Sequence, residues 1–392
     1  PGAPLFTLLG RFFIILFGNN PLTAAQGVNF MSAIASGLTI LFLFWSITHF
    51  ARKLVQRPGQ ELTGLQLFGI LSAGVVGALA YTFSDSFWYS AVEGEVYALS
   101  SLFTAIVFWG ILKWEHEVDQ ESKTDGHKFS RADRWLVFIF FMVGLSIGVH
   151  LLSILAIPAI VMVYYYKRYK VTNWGMLWAF LIGCVITGVV QVAIIQWSIK
   201  GAGLFDIFFV NSLGLPFYVG FVVYFLLLFA LLILGLRFND ASIKQFSGFP
   251  VWLSLVLLLF CFPFIRSGMT GFGLLIIISV VVALCYNYRD RISSFLRIAL
   301  FSTLFVILGY STYFTTLIRS SANPSVDMYN VDNPVSLVGY LSRDQYGEWP
   351  ILYGPDFTYR PPSVDAGDLY AKGDHEYKKV GKIRKQDFSA RP

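Results

Sequence analysis

The amino-acid sequence predicts an all-α integral membrane protein, a polytopic bundle of about ten transmembrane helices. Of its 392 residues, 56% are hydrophobic and only 13% are charged. Soluble domains carry roughly 25% charged residues, so this chain has too few charges to cover a water-facing surface. Ten apolar runs also approach the roughly 20 residues that cross the hydrocarbon of a bilayer. The bilayer is therefore the predicted solvent for most of the chain.

The predicted transmembrane domain covers residues 1–317 and contains all ten spans. In chain order they are 28–49, 65–84, 93–113, 134–147, 151–166, 174–197, 217–236, 250–265, 270–287 and 293–317. The fourth and fifth are shorter than a full span. The turn Gly148-Val149-His150 separates these two, so we expect a pair of short helices that meet there.

Basic residues in the connections support this number of spans. If the first span runs inward, alternation places five connections in the cytoplasm, and these carry sixteen Lys and Arg when the helix ends are included. The outward connections and the N-terminal stretch carry three, which are Arg11, Lys200 and Arg266. Positive charge concentrates in cytoplasmic loops. A missed or added span would invert every later loop and remove this bias.

Three stretches are not predicted to cross the bilayer. Residues 1–20 are apolar with a single charge, which favours a juxtamembrane helix lying in the outer interface. Residues 198–216 are an apolar outward loop, expected to be re-entrant or interfacial. Residues 318–392 form a polar extracytoplasmic segment in which Asp-Asn-Pro and Tyr-Gly clusters indicate turns.

Three carboxylates, Asp85, Glu93 and Glu95, fall in the outward stretch SDSFWYSAVEGEVY and the first turn of the next helix. Two interpretations are open. Negative side chains at a helix N-terminus are stabilised by the helix dipole, so these residues could simply cap the helix. Alternatively, carboxylates separated by one small residue can converge on a divalent cation that neutralises a phosphate leaving group.

Four further polar residues near predicted helix ends each have two interpretations. His150 is either a hydrogen-bonded turn residue, or a contact to a lipid phosphate or a proton carrier. Arg266 either extends to the interface or clamps an anion. Asp206 and Asn211 either form turns or line a groove for an acceptor.

Some classes of function find no support in the sequence. It contains no GxGxxG, P-loop, HExxH or CxxC pattern, so nothing indicates soluble nucleotide chemistry or a nucleic-acid partner. No ionisable residue lies deep in a predicted span, which weighs against a coupled transporter or lipid flippase. A transporter, and a non-catalytic scaffold of an export system, remain the alternatives to an enzyme.

Five stretches resemble one family of membrane proteins. They are PGAPLFTLLGRFF, FWYSAVEGEVYALSSLF, GLSIGVHLLSILAIPA, DIFFVNSLGLP and NPSVDMYNVDNPVSLVGYLSRDQYGEWPILYG. Over roughly residues 1–355 the chain resembles the domain-of-unknown-function 2723 family, which includes the transmembrane protein 260 type of protein O-mannosyltransferase. The resemblance implies a GT-C glycosyltransferase fold. It also implies transfer of a sugar, mannose in that type, from a polyprenyl-phosphate donor to a protein or lipid acceptor.

The same resemblance implies where the chain acts and how its ends compare with the family. The expected location is the bacterial inner membrane, in contact with membrane lipid, with the active face and the C-terminal segment extracytoplasmic. The family's first helix and first acidic motif would precede Pro1, so the chain is expected to be a fragment that is also truncated after Pro392.

The resemblance assigns roles to the candidate residues. Glu93 and Glu95 look like the second acidic motif of related transferases, with Asp85 nearby, and Glu95 is the foremost candidate. These residues would hold the donor phosphate through Mg²⁺ or Mn²⁺ or by hydrogen bonds, assisted by His150 or Arg266. The acceptor groove is assigned to Tyr97, Asp206 and Asn211.

Overall fold

The computed structural model describes the chain in eight stretches. These are residues 3–18, 20–57, 59–121, 130–237, 248–265, 268–327, 330–341 and 363–386. Within them the chain is helical apart from turns and one β-hairpin, so the predicted all-α membrane fold is confirmed.

The helices follow one another along the chain with short connections. They are α1 Pro4–Leu16, α2 Pro21–Val55, α3 Gly64–Thr82, α4 Asp85–Val92, α5 Val96–Gln120, α6 Asp133–Ile147, α7 Ile157–Arg168, α8 Asn173–Val189, α9 Ser198–Leu213, α10 Val219–Arg237, α11 Phe249–Ile265, α12 Gly268–Asn287, α13 Arg289–Tyr310, α14 Phe314–Ser321 and α15 Pro334–Leu341. Two 3₁₀ turns, Leu151–Ala156 and Ser311–Tyr313, and a π-helical stretch, Val190–Trp197, join some of them. Strands β1 Ser363–Lys372 and β2 Tyr377–Gln386 pair antiparallel.

The chain divides into two compact units. Unit 1 contains Pro1–Val190, Gly235–Phe246 and Tyr288–Thr315, and unit 2 contains Gln191–Leu234, Ser247–Asn287 and Thr316–Pro392. The described residues of the C-terminal segment therefore belong to the same compact unit as α9 to α12. No local pattern in the sequence predicts this association, because the contacts that create it join residues far apart in the chain.

Helices α6 and α13 of unit 1 approach closely at glycines. A Cβ atom at Gly144 would lie only 2.3 Å from the carbonyl oxygen of Val306, and one at Gly309 would lie 2.5 Å from the backbone nitrogen of Leu145. Small residues let membrane helices bring their backbones together, which increases van der Waals contact where lipid offers no hydrophobic driving force.

Charged residues gather at one end of unit 1. The Glu115 carboxylate near the end of α5 lies 2.5 Å from Lys53 Nζ of α2 and 2.9 Å from Lys167 Nζ of α7. The C-terminal ends of these three helices therefore lie side by side. A helix rises about 1.5 Å per residue, so Glu95 at the other end of α5 is about 30 Å away along the axis.

Helices occur at all ten positions where spans were predicted. By length and composition, seven apolar stretches of the described residues can cross a membrane. They are Pro21–Val55, Gly64–Thr82, Val96–Gln120, Leu151–Arg168, Asn173–Leu213, Val219–Arg237 and Phe295–Ser321. The helices at predicted spans 134–147, 250–265 and 270–287 are not among these seven.

The stretch 198–216, predicted to be a re-entrant or interfacial loop, is helical over most of its length, and its placement in the membrane stays a prediction. After the π-helical stretch, residues 198–213 continue as helix α9, which ends at Gly214 in the left-handed conformation with φ of 64°. Nine of the sixteen residues of α9, SIKGAGLFDIFFVNSL, are apolar. In hydrocarbon such a segment satisfies its backbone hydrogen bonds best as a helix.

We expect Gly144→Ala to destabilise the protein. The added methyl group has to displace backbone atoms of α13, which costs about 1–3 kcal/mol. Thermal unfolding of the detergent-solubilised protein measures the effect. Gly188→Ala in α8 is the matched control, because a Cβ atom there meets nothing within 4 Å. Equal midpoints for the two variants would contradict the close packing of α6 on α13.

Candidate functional site

The acidic stretch forms a tight turn between two helices of unit 1. Asp85 lies in the first turn of α4, Glu93 is the C-terminal cap residue of α4, and Glu95 is the N-terminal cap residue of α5. The backbone N–H of Glu95 donates to the carbonyl of Glu93 at 2.9 Å, which closes the turn around Gly94. All three acidic residues are exposed.

Helix capping explains these carboxylates only in part. The Glu95 side chain makes no capping hydrogen bond, although its charge lies at the positive end of the α5 dipole. The negative charge of Asp85 is stabilised in the same way by the dipole of α4. Glu93, however, lies at the C-terminal end of α4, where the helix dipole disfavours a negative charge. Capping of α4 therefore gives no reason for the acidic residue at position 93.

The acidic turn is pressed against α2. A Cβ atom at Gly94 would lie 3.0 Å from Val28 Cγ1 and 3.1 Å from Asn29 Oδ1, so a larger residue would push the turn away. Asn29 therefore lies beside the acidic turn. The sequence did not single it out, because one polar residue at the start of an apolar run carries no specific signal.

A hydrophobic cluster lies next to the acidic turn. It joins side chains of α1, α2 and α5 to the residue before His150, and its buried members are Leu5, Met31, Ala35, Ala98, Leu99, Phe103 and Val149. The Leu5 N–H also donates to the carbonyl of Gly148 at 2.8 Å, which attaches α1 to the end of α6. Close-packed apolar contacts of this kind fix the relative positions of the acidic turn and His150.

His150 lies next to the start of α5. Its ring centroid is 5.8 Å from that of Tyr97, two residues after Glu95. Its Nδ1 accepts a hydrogen bond from the Leu152 N–H at 3.2 Å and so caps the 3₁₀ turn. In the neutral ring the proton must then lie on Nε2, which is left as a donor. The turn interpretation of His150 and a contact to an anion are thus compatible.

Few side chains of the described residues are placed to act as ligands of a metal ion. Among the described residues, no group of three or more His, Cys, Asp or Glu is placed to hold a metal ion. Two carboxylates, Glu93 and Glu95, remain as candidate ligands. Mg²⁺ commonly binds through one or two carboxylates, several waters and the phosphates of a substrate, so this donor set fits a metal shared with a phosphate.

Asp206 of unit 2 is fully buried. Its carboxylate accepts hydrogen bonds from the N–H groups of Tyr218 at 3.1 Å, Gly220 at 3.1 Å and Phe221 at 3.3 Å, and from the Tyr377 hydroxyl at 2.7 Å. A carboxylate has about four acceptor sites, and four donors occupy them. Asp206 thereby joins the start of α10 to β2 of the hairpin.

Asn211 holds the same strand from one turn further along α9. Its Nδ2 donates to the Tyr377 carbonyl at 2.8 Å and its Oδ1 accepts from the Tyr377 N–H at 2.9 Å. The assignment of Asp206 and Asn211 to an acceptor groove stays a prediction, and their observed contacts are structural. Arg266, the predicted phosphate contact, lies outside the described residues.

Tyr377 is the residue of this network that the sequence analysis missed. It is 2% exposed, and its ring packs edge-on against Phe217 with centroids 5.0 Å apart. Burial, and then the hydrogen bond to the Asp206 carboxylate, raise the pKa of Tyr377 above its usual value of 10.0. A tyrosine in a polar C-terminal segment gives no sequence signal for a buried partner in a distant helix.

The apolar helices and the acidic turn at one end of unit 1 define a multi-pass membrane protein with a candidate catalytic surface at a helix start. Residues 1–173, which contain that surface, match the family model described as the protein O-mannosyl-transferase TMEM260 N-terminal domain. The resemblance drawn from the sequence motifs is therefore confirmed over residues 1–173, which are similar to the TMEM260 family.

Two curated relatives carry the same name. "Protein O-mannosyl-transferase tmem260" of Dictyostelium discoideum is 26% identical over 117 residues, which are 28% of this chain and 12% of the relative. "Protein O-mannosyl-transferase TMEM260" of Mus musculus is 29% identical over 115 residues, 29% of this chain and 14% of the relative. The chain thus matches less than a sixth of the length of either relative. No solved structure matches the chain.

We expect Tyr377→Phe to lower the stability of unit 2. The variant leaves the buried Asp206 carboxylate one donor short, which costs about 1–3 kcal/mol. The measurement is thermal unfolding in detergent. Tyr370→Phe in β1 is the control, since the Tyr370 hydroxyl has no partner among the described residues. A Tyr377→Phe variant as stable as the control would exclude the proposed anchoring of the hairpin.

The raised pKa of Tyr377 also predicts a pH dependence. Because the folded protein favours the neutral phenol, the stability that Tyr377 contributes is present below pH 10.0 and is lost as the pH rises above it. We expect this loss to be about 1.4 kcal/mol per pH unit above that value. Unfolding measured across this range should show a smaller alkaline loss for Tyr377→Phe than for the wild-type protein. Parallel curves would contradict the assignment.

Proposed function

We propose that the protein is a membrane glycosyltransferase of the GT-C type. It moves a sugar, mannose by analogy with the relatives' names, from a polyprenyl-phosphate donor to a Ser or Thr hydroxyl of an acceptor protein. The observation that carries the proposal is the position of Glu93 and Glu95 in an exposed turn at the end of a lipid-embedded bundle, within the stretch that matches the O-mannosyl-transferase family.

The proposed reaction is a single displacement at the anomeric carbon. The acceptor hydroxyl oxygen forms the new bond to that carbon while the bond to the polyprenyl phosphate breaks, so the configuration inverts. The hydroxyl proton goes to a general base, and the electron pair of the broken bond leaves with the phosphate. Charge develops on the departing phosphate, so groups fixed in advance around it contribute most to lowering the barrier.

The acidic turn and His150 would act on that phosphate. Glu93 and Glu95 would hold Mg²⁺ or Mn²⁺, which would supply positive charge to the phosphate. The Nε2–H of His150 would donate a hydrogen bond to a phosphate oxygen, and such charge-assisted bonds are about twice as strong as neutral ones. Tyr97 packs against the His150 ring and would keep it oriented.

We infer that the acidic turn faces the extracytoplasmic side of a bacterial inner membrane. The basic end of unit 1, where Lys53 and Lys167 meet Glu115, is the opposite end of α5 from Glu95. Basic residues favour the cytoplasmic side, which directs the acidic turn outward. A lipid-linked donor in the outer leaflet would then reach the site from the side.

We expect Glu95→Gln in the full-length protein to reduce sugar transfer by about a hundredfold or more, because the charge that holds the metal and phosphate is removed. The assay follows labelled mannose from polyprenyl-phosphate mannose to an acceptor peptide. Glu61→Gln makes the same change at an exposed position beyond the basic end of α2 and should leave transfer unchanged. Full activity of Glu95→Gln would remove this residue from the site.

His150→Asn separates the two roles of the histidine. Asparagine is also a good N-terminal cap, so it can replace Nδ1 in the bond to the Leu152 N–H, but it does not reproduce the Nε2 donor. We expect normal expression and folding with an apparent KM for the donor raised about tenfold. His150→Ala should lose both roles. If His150→Asn transfers sugar with wild-type kinetics, His150 acts only as a cap.

A further inference from the structure

Unit 2 contains a polar cavity that the proposed transfer reaction does not use. Its volume is about 440 Å³, and it lies between the β-hairpin turn and the segment that leads into α15. Small-molecule sites typically measure about 300–1,000 Å³. The cavity is thus large enough to enclose a small ligand.

One side of the cavity is held in place by hydrogen bonds. Asn333 Oδ1 accepts from the N–H groups of Val335 at 3.0 Å and Ser336 at 2.9 Å, which caps α15. Its Nδ2 donates to Asp332 Oδ1 at 2.9 Å. The other oxygen of Asp332 forms an ion pair with Lys372 Nζ of β1 at 3.3 Å, which connects the hairpin to this segment.

The other side presents polar groups that have no protein partner. The Asn330 amide, the Tyr370 hydroxyl and the Asp374 carboxylate all line the cavity. Within the described part of the chain, none of these three side chains makes a hydrogen bond or an ion pair, although the backbone N–H of Asn330 donates to Asp327 Oδ1 at 3.2 Å. Together they offer an amide and a phenol, which both donate and accept, and a carboxylate, which accepts.

The charges of the lining restrict the ligand. Asp332 and Asp374 are negative, and the one cationic side chain, Lys372, is already paired with Asp332. Phosphate and other anions are therefore disfavoured. The described residues gather no group of three metal ligands, and the amides, carboxylates and hydroxyls of the lining favour a polar ligand.

A neutral ligand with many hydroxyl groups fits best. Each hydroxyl both donates and accepts, which matches the free groups of Asn330, Tyr370 and Asp374. The Tyr370 ring adds an apolar face for the C–H side of a sugar ring. We propose that this cavity binds a neutral monosaccharide or disaccharide unit. Binding here requires no transfer chemistry, so it stands apart from the reaction proposed for the acidic turn.

Binding can be measured on the full-length protein in lipid nanodiscs by saturation-transfer difference NMR. The probes are methyl α-mannopyranoside and methyl β-glucopyranoside, with inorganic phosphate and a threonine-rich peptide in separate samples. We expect saturation transfer to at least one glycoside, and about fivefold weaker apparent affinity in Asp374→Asn and in Tyr370→Ala. Phosphate should not compete.

Glu376→Gln is the matched control, because it makes the same charge change in the same hairpin turn but does not line the cavity. It should bind the glycoside as the wild-type protein does. The proposal is overturned if neither glycoside receives saturation, if Asp374→Asn and Tyr370→Ala bind like the control, or if only the peptide or phosphate binds. Because Asp374 is exposed, its variant should fold, and gel filtration verifies this.

Discussion

Charged groups cannot remain unpaired in hydrocarbon, and this constraint sends the charges of unit 1 to the two ends of its helices. At one end Glu115 pairs with Lys53 and Lys167, which keeps three helix ends together. At the other end of α5 the chain leaves the helix through an exposed acidic turn. Unit 1 therefore has these paired basic residues at one end and the acidic turn at the other.

Close packing fixes the position of the backbone of the acidic turn. Gly94 lets the acidic turn lie against α2, and the cluster around Leu5, Met31 and Val149 connects it to the turn that carries His150. Protein interiors are packed as densely as organic crystals, so such contacts transmit position over several residues. The charged side chains of the turn can then remain exposed while their backbone is fixed.

In unit 2, hydrogen bonds to a buried carboxylate connect segments that are distant in the chain. Asp206 is a buried charge that would be costly if it were unsatisfied, and three backbone N–H groups and the Tyr377 hydroxyl stabilise it. The same contacts attach the C-terminal hairpin to the start of α10. The position of the hairpin also helps to define the polar cavity. Lys372 of β1 forms an ion pair with Asp332, and both residues line the cavity.

The sequence by itself determined the membrane environment, the positions of the helices, the resemblance to the TMEM260 family and the acidic stretch. Each of these follows from local composition or from a contiguous motif, because about 20 apolar residues in a row have few alternatives to a helix in lipid. Tertiary structure alone decided that Gly94 lies against α2, that the rings of His150 and Tyr97 are in contact, and that Asp206 accepts a hydrogen bond from Tyr377. These contacts join residues far apart in the chain, and no local pattern of hydropathy or charge encodes which distant partner will lie within hydrogen-bonding distance.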